Sequence, residues 1–265
     1  MKFEKTVGHE KQKRLFLNIL ETGRLAHAYA FIGQEGIGKT AFALDLASLL
    51  GADPVLDLFV LDSQDSISAE ETRTLRTKLA LTPAGKCKVA VIKADLLTEE
   101  AASSLLKILE EPPQHSYIFL TTTNFYSLLP TIASRVQKVI FARALDAEIR
   151  SVFENEEIVT LASGRIGFAK LLAADENLLQ FTRDCELNYQ TLEQSKLADR
   201  FIVSEKIASL ETRQILFFLQ YCLSRITNRF EFNFSALARK LSAAFDDLQS
   251  NVNKKLSMDN LFLPQ

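Results

Sequence analysis

The residues with the plainest chemistry lie in one run, Phe31-Ile32-Gly33-Gln34-Glu35-Gly36-Ile37-Gly38-Lys39-Thr40. Gly33 and Gly38 have the spacing of a phosphate loop, with Gly36 between them and Lys39 and Thr40 following at once. Glycines let the backbone curl so that several N–H groups point into one concavity, and a helix start adds positive potential there. In that setting Lys39 reaches the β- and γ-phosphates, and the Thr40 hydroxyl ligates Mg²⁺. A glycine-bearing turn with an exposed lysine is the bland alternative, and the flanks decide against it. The apolar run Ala28-Tyr29-Ala30-Phe31-Ile32 precedes the loop and Ala41 to Leu50 follows, which predicts strand, turn and helix. The expectation is a nucleotide-binding fold.

Nucleotide hydrolysis needs acidic residues at the end of the third strand, one for Mg²⁺ and a neighbour for water. Here that strand ends Val91-Ile92-Lys93-Ala94-Asp95, so Ile92 and Lys93 stand where an Asp-Glu pair would sit. A lysine there competes with magnesium, and hydrolysis is not expected. Asp95 either serves the metal or is a turn or capping carboxylate, as Asp often is at such positions. Ser134-Arg135 follows a short helix. Arg135 either projects into a neighbouring protomer's nucleotide site or caps its own helix C-terminus. Thr121-Thr122-Thr123-Asn124 ends a strand beside the loop, where a hydroxyl could sense the γ-phosphate, although β-propensity alone favours threonine there. Lys107 to Pro113 shows no chemistry beyond helix termination.

Other elements must position these groups. An extended lead-in, Phe3 to Glu10, precedes a helix with Leu15, Ile19 and Leu20 as its apolar spacing. Asp57 to Leu61 reads as a second strand, and Ser68 with Glu71 as a capping box opening a helix that runs to about Leu81. Lys88 to Ile92 is a buried third strand. Thr98 caps a helix over Glu99–Glu111 that Pro112-Pro113 stops. Tyr117 to Thr123 and Gln137 to Phe141 complete the sheet. Strands alternating with helices mean a parallel α/β sheet. From Asp146 the pattern is helical: short helices near 146–153, 155–162 and 165–173, then residues 176–265 with Ile215, Phe218, Leu219, Cys222 and Ile226 at helical spacing.

A chain of 265 residues supports one large domain or two to three small ones, and 47% hydrophobic with 24% charged residues is ordinary for a globular protein. A net charge of −2 speaks against a whole-surface nucleic-acid binder. Charges balance over 176–265, which leaves no bulk field for DNA there. Cys87, Cys185 and Cys222 are too scattered for a zinc site or disulfides, so a reducing, cytoplasmic setting is expected, and His9, His27 and His115 are equally dispersed. The charged N-terminus carries no secretory pattern, and the apolar run Ile215–Leu223 is too short to span a bilayer, so no membrane partner is expected.

These stretches together resemble the clamp-loader branch of the AAA+ ATPases, and within it the delta-prime type of bacterial DNA polymerase III subunit. The carrying residues are Val7 to Glu10, Leu25 to Tyr29, the phosphate loop, Leu105 to Pro113, Leu128 to Arg135 and, more thinly, Asn251 to Leu261. The resemblance implies an α/β phosphate-loop AAA+ domain over 1–144, a helical lid over 145–175 and an all-α collar domain over 176–265. It implies Arg135 as an arginine finger acting in trans, Val136 replacing the usual cysteine. Val7 and Gly8 would pack by the adenine, and Thr122 or Thr123 would be the first sensor. Gly33, Gly36, Gly38, Lys39 and Thr40 would hold ATP or ADP, with Thr40 the contact to magnesium.

Three departures matter. The acidic pair is missing, Phe168 stands where motor subunits carry a second-sensor arginine (Arg165 is three residues earlier), and no zinc insertion separates Gly51-Ala52-Asp53-Pro54 from the second strand. The expectation is therefore a non-motor subunit that binds nucleotide with weak or no ATPase and no zinc. Its partners would be the gamma/tau motor and delta subunits through the collar and Arg135, and the sliding clamp and primed DNA through the complex. The alternative is a divergent gamma/tau-type motor using Asp95.

Overall fold

Five short apolar runs form the strands β1 (Ala28–Ile32), β2 (Leu58–Leu61), β3 (Lys88–Lys93), β4 (Ser116–Thr122) and β5 (Gln137–Ile140) of a computed structural model that describes residues 3–62, 66–194, 196–226, 234–249 and 253–262. Their order is β2-β3-β4-β1-β5, and every adjacent pair is parallel. Helix α1 (Glu10–Glu21) precedes β1, and α2 (Lys39–Leu50), α3 (Ala69–Leu79), α4 (Glu99–Glu110) and the single turn α5 (Pro130–Ala133) lie between the strands in sequence. The α/β parallel-sheet expectation holds.

Side-chain alternation along β3 sorts the two faces of the sheet. Val89 and Val91 pack with Phe31, Phe42 and Phe119 on the α2 face, while Ala90 and Ile92 pack with Leu75, Leu105 and Ile108 on the α3–α4 face. On the α2 face the Phe31 and Phe119 rings stack with centroids 5.4 Å apart, and Phe16 meets Phe42 edge-on at 5.3 Å.

Two sequence expectations shift. In α1 the fully buried residue is Phe16, whereas Leu15 is 48% exposed, because the aromatic cluster sets the helix's rotational phase. Helix α3 ends at Leu79 rather than about Leu81, its last turn tightened by the Leu81 N–H donating to the Lys78 carbonyl. Its Ser68–Glu71 capping box is present in both directions.

The remaining helices are α6 (Asp146–Arg150), α7 (Glu156–Ala162), α8 (Ile166–Ala174), α9 (Glu176–Gln194), α10 (Leu197–Ala208), α11 (Thr212–Ile226), α12 (Phe234–Gln249) and α13 (Lys254–Phe262). The chain divides into two compact units, Met1–Val152 with Gly164–Phe168, and Phe153–Ser163 with Ala169–Gln265. The second unit is helical. Ile215, Phe218, Leu219, Cys222 and Ile226 are all buried along α11, and Phe218 stacks on Phe262 of α13. Charged links tie it together, with Arg225 and the Tyr221 hydroxyl both bound to Glu186 at 2.9 and 2.6 Å. Of the C-terminal stretch with a family likeness, Asn251 and Val252 lie outside the described residues. No helix among the described residues is long and apolar enough to cross a membrane.

Candidate functional site

Strand β1 ends at Ile32, the loop turns over Gly33 to Gly38, and α2 starts at Lys39. Two glycines make that turn possible. Gly36 and Gly38 take φ of 75° and 113°, a region side chains disfavour, and a Cβ on Gly36 would come within 2.9 Å of Phe168. The Lys39 ammonium folds back onto the loop, donating to the carbonyls of Gly33 and Gln34 (2.8 Å to the latter). Burial pulls its pKa down to about 8, against the opposing pull of Asp95 and Glu35. Thr40, the second residue of α2, is half-buried.

Two segments frame the loop. Asp45 of α2 accepts from the backbone N–H groups of Lys5 and Thr6 and from the Thr6 hydroxyl, at 2.7–3.0 Å. That anchor fixes the segment leading to His9, which reaches the loop, while Gly8 lies nearest Glu148 and Ala144. His9 Nε2 lies 2.8 Å from the Ile37 carbonyl, which can only accept, so Nε2 carries the proton. Burial lowers the His9 pKa. From the other side the Phe168 N–H donates to the Gly36 carbonyl at 2.9 Å. Arg165 precedes α8, yet its guanidinium lies over the Phe168 ring at 4.2 Å, so the three-residue offset does not part the two side chains. His9 and Asp45 were missed from sequence. A carboxylate as the one charged residue in the largely apolar run Ala41–Leu50 was the available signal for Asp45.

The tip of β3 carries an inversion of charge. Lys93 has the parity of Val89 and Val91 and so belongs to the α2 face, while Ile92 is buried on the opposite face. Of the two residues standing where an acid pair would sit, Lys93 alone shares the loop's face. Its ammonium bonds Glu35 of the loop at 2.8 Å and lies 3.6 Å from Asp62. Burial works against that charge, but the two carboxylates outweigh it and raise the Lys93 pKa.

Asp95 sits in a 3₁₀ turn (Ala94–Leu96), where it accepts from the Thr122 hydroxyl (2.5 Å) and the Thr123 N–H (2.8 Å). Thr122 is fully buried, and its carbonyl accepts the Gly33 N–H at 3.1 Å. Asp95, Thr122 and the loop are thus one bonded chain. These donors do not fit a magnesium ion held at the strand tip, because the loop face of β3 presents an ammonium where such an ion needs a carboxylate.

Arg135 stands at the surface after α5. It donates to the Thr131 carbonyl (2.8 Å) and pairs with Glu110 at the end of α4 (2.8 Å). Glu110 belongs to the Lys107–Pro113 run, and only the fold gives it this role. Elsewhere, α3 and α4 bound a groove of about 480 Å³ lined by Arg73, Arg76, Thr77, Ala80, Ser104 and Lys107. Among the described residues no three or more His, Cys, Asp or Glu side chains gather as a metal site.

Residues 52–144 match the family described as DNA polymerase III, delta subunit. The chain is 34% identical over 181 residues to DNA polymerase III subunit tau of Escherichia coli (strain K12). That alignment takes in 58% of this chain and 28% of the relative, so the chain spans well under a third of that protein's length. Among solved structures, a DNA polymerase III gamma subunit-related protein from Thermotoga maritima superposes with a TM-score of 0.60 at 20% identity, covering 95% of this chain and 97% of that one. The RuvB Holliday junction branch migration motor of Thermotoga maritima gives 0.52 at 15% identity, covering 96% and 90%. At those identities the two structures establish the fold alone, a parallel five-stranded sheet followed by helices.

Proposed function

We propose that this relative of the DNA polymerase III clamp-loader subunits is a delta-prime-type, non-motor subunit of the complex. It binds a nucleoside phosphate at Gly33–Thr40, does not hydrolyse it efficiently, and offers Arg135 to the nucleotide site of a neighbouring motor subunit. The observation that carries this reading is Lys93, a cation on the loop face of β3 where a motor places its acids. An exposed arginine at a helix end, reached by one carboxylate, supports the second half of the reading. Domain roles follow: a nucleotide-binding part over 1–144, a lid over 145–175 and a collar over 176–265.

The test is co-purification with gamma/tau and delta subunits, followed by ATPase and clamp loading on primed DNA. Arg135→Ala should assemble normally and lower the complex's ATPase by about a thousandfold or more at the affected site, within the range of arginine-finger losses. Unchanged turnover removes Arg135 from the reading.

A second reading is favoured by one observation: Asp95 is close enough to Lys39 to oppose the lowering of its pKa. In that reading the chain is a gamma/tau-type motor. The isolated chain then hydrolyses ATP at a motor's rate, and Asp95→Asn abolishes it.

A further inference from the structure

A nucleotide's phosphates need positive charge beyond the loop lysine. In phosphate-loop proteins that charge comes from a magnesium ion held by the loop hydroxyl and a strand-tip aspartate. Here the strand tip supplies a cation of its own. We infer that the Lys93 ammonium takes the place of magnesium, so that this chain binds nucleoside di- and triphosphates without requiring a divalent metal. The inference deepens the nucleotide-site reading and rests on it.

The geometry supports this at three points. Lys93 emerges on the α2 face and already touches the phosphate loop through Glu35. Lys39 donates to the carbonyls of Gly33 and Gln34 while Lys93 pairs with Glu35, so both ammonium groups are bound to the same loop. Finally, its present partners are replaceable. The Glu35 and Asp62 side chains are 56% and 42% exposed, and ion pairs so open to water hold weakly. A phosphate oxygen carrying concentrated charge competes well against them, and the flexible four-carbon stem lets the ammonium follow. Asp95, the nearest carboxylate after the strand, is engaged by Thr122 and Thr123 instead.

The experiment is calorimetry of the purified chain with ATP and with ADP, in magnesium chloride and in excess EDTA. Dissociation constants in the two buffers should agree within about threefold. Lys93→Gln should weaken binding in EDTA by about tenfold, the scale of one charge-assisted contact. Lys93→Asp should bind poorly in EDTA and regain most of its affinity with magnesium. Lys39→Ala should lose binding in both buffers, and thermal melts check that each variant is folded. A wild-type chain that loses tenfold or more in EDTA overturns the inference while leaving the nucleotide site standing. So does a Lys93→Asp chain indifferent to metal, or metal-dependent binding that Asp95→Asn removes. No binding of either nucleotide in either buffer overturns the nucleotide-site reading itself, and this inference with it.

Discussion

A lysine with a pKa near 8 is a charge that solution conditions can remove, and that places a measurable property on Lys39. Bound phosphate would raise the value again, so binding takes up a proton wherever the free lysine is neutral. Nucleotide affinity is then full below about pH 8 and falls as pH rises beyond it, by up to about tenfold per unit. Calorimetry at pH 7, 8 and 9 measures this, and an affinity flat across that range would mean the ammonium is not the phosphate contact. The lysine and glycines were legible in sequence because loop chemistry demands those residue types at fixed spacing. The partner of Arg135 was not. Glu110 lies 25 residues away in sequence, and only the packing of α4 beside α5 brings its carboxylate to 2.8 Å.

At the scale of elements, the corner before β2 shows how the fold closes without an inserted module. Asp57 was expected to begin that strand, but β2 begins at Leu58, and Asp57 is a fully buried anchor. Burial alone would push its carboxyl up. The N–H groups of Gly85 (2.6 Å) and Ala84 (3.0 Å), the ammonium of Lys88 (3.0 Å) and the Asp53 N–H (3.3 Å) outweigh this and hold it far below the usual carboxylate range. A carboxyl lowered in this way stabilises the fold above the unfolded value near 4, and that contribution is lost as pH falls below it. Asp57→Asn leaves Lys88 buried without its counter-charge and should cost about 3 kcal/mol in urea unfolding at neutral pH, with a smaller acid dependence than wild type. A loss under about 1 kcal/mol would show that the corner tolerates water. The elements themselves were readable: the capping box, the proline stop after α4 and the β-rich runs each carry a local reason. The phase of α1 was not, because Leu15 and Phe16 offer equally plausible apolar stripes until the aromatic cluster selects one.

Across the whole molecule the near-zero net charge conceals a local exception. Arg73, Arg76 and Lys107 line one groove between α3 and α4, in a chain whose formal charge is −2. If the chain meets primed DNA in the complex proposed above, that groove has the cations for phosphate contact. Arg76→Gln and Lys107→Gln should each reduce the slope of log affinity against log salt by about 1, read by fluorescence anisotropy of the assembled complex on primed DNA. An unaltered slope would take the groove out of the DNA path. The helical second unit offers no comparable sequence signal, since its charges balance over 176–265.

By itself the amino-acid order determined a parallel α/β sheet, a glycine-rich loop between strand and helix, and a helical remainder. Those features rest on residue type and short-range periodicity, which need no knowledge of what packs where. Tertiary structure decided the rest. Which of Ile92 and Lys93 faces the loop depends on strand parity referred to α2. Whether Asp95 is free for a metal depends on Thr122 arriving from another strand. Contacts between elements distant in sequence leave no local periodicity, and the site's charge balance is made of such contacts.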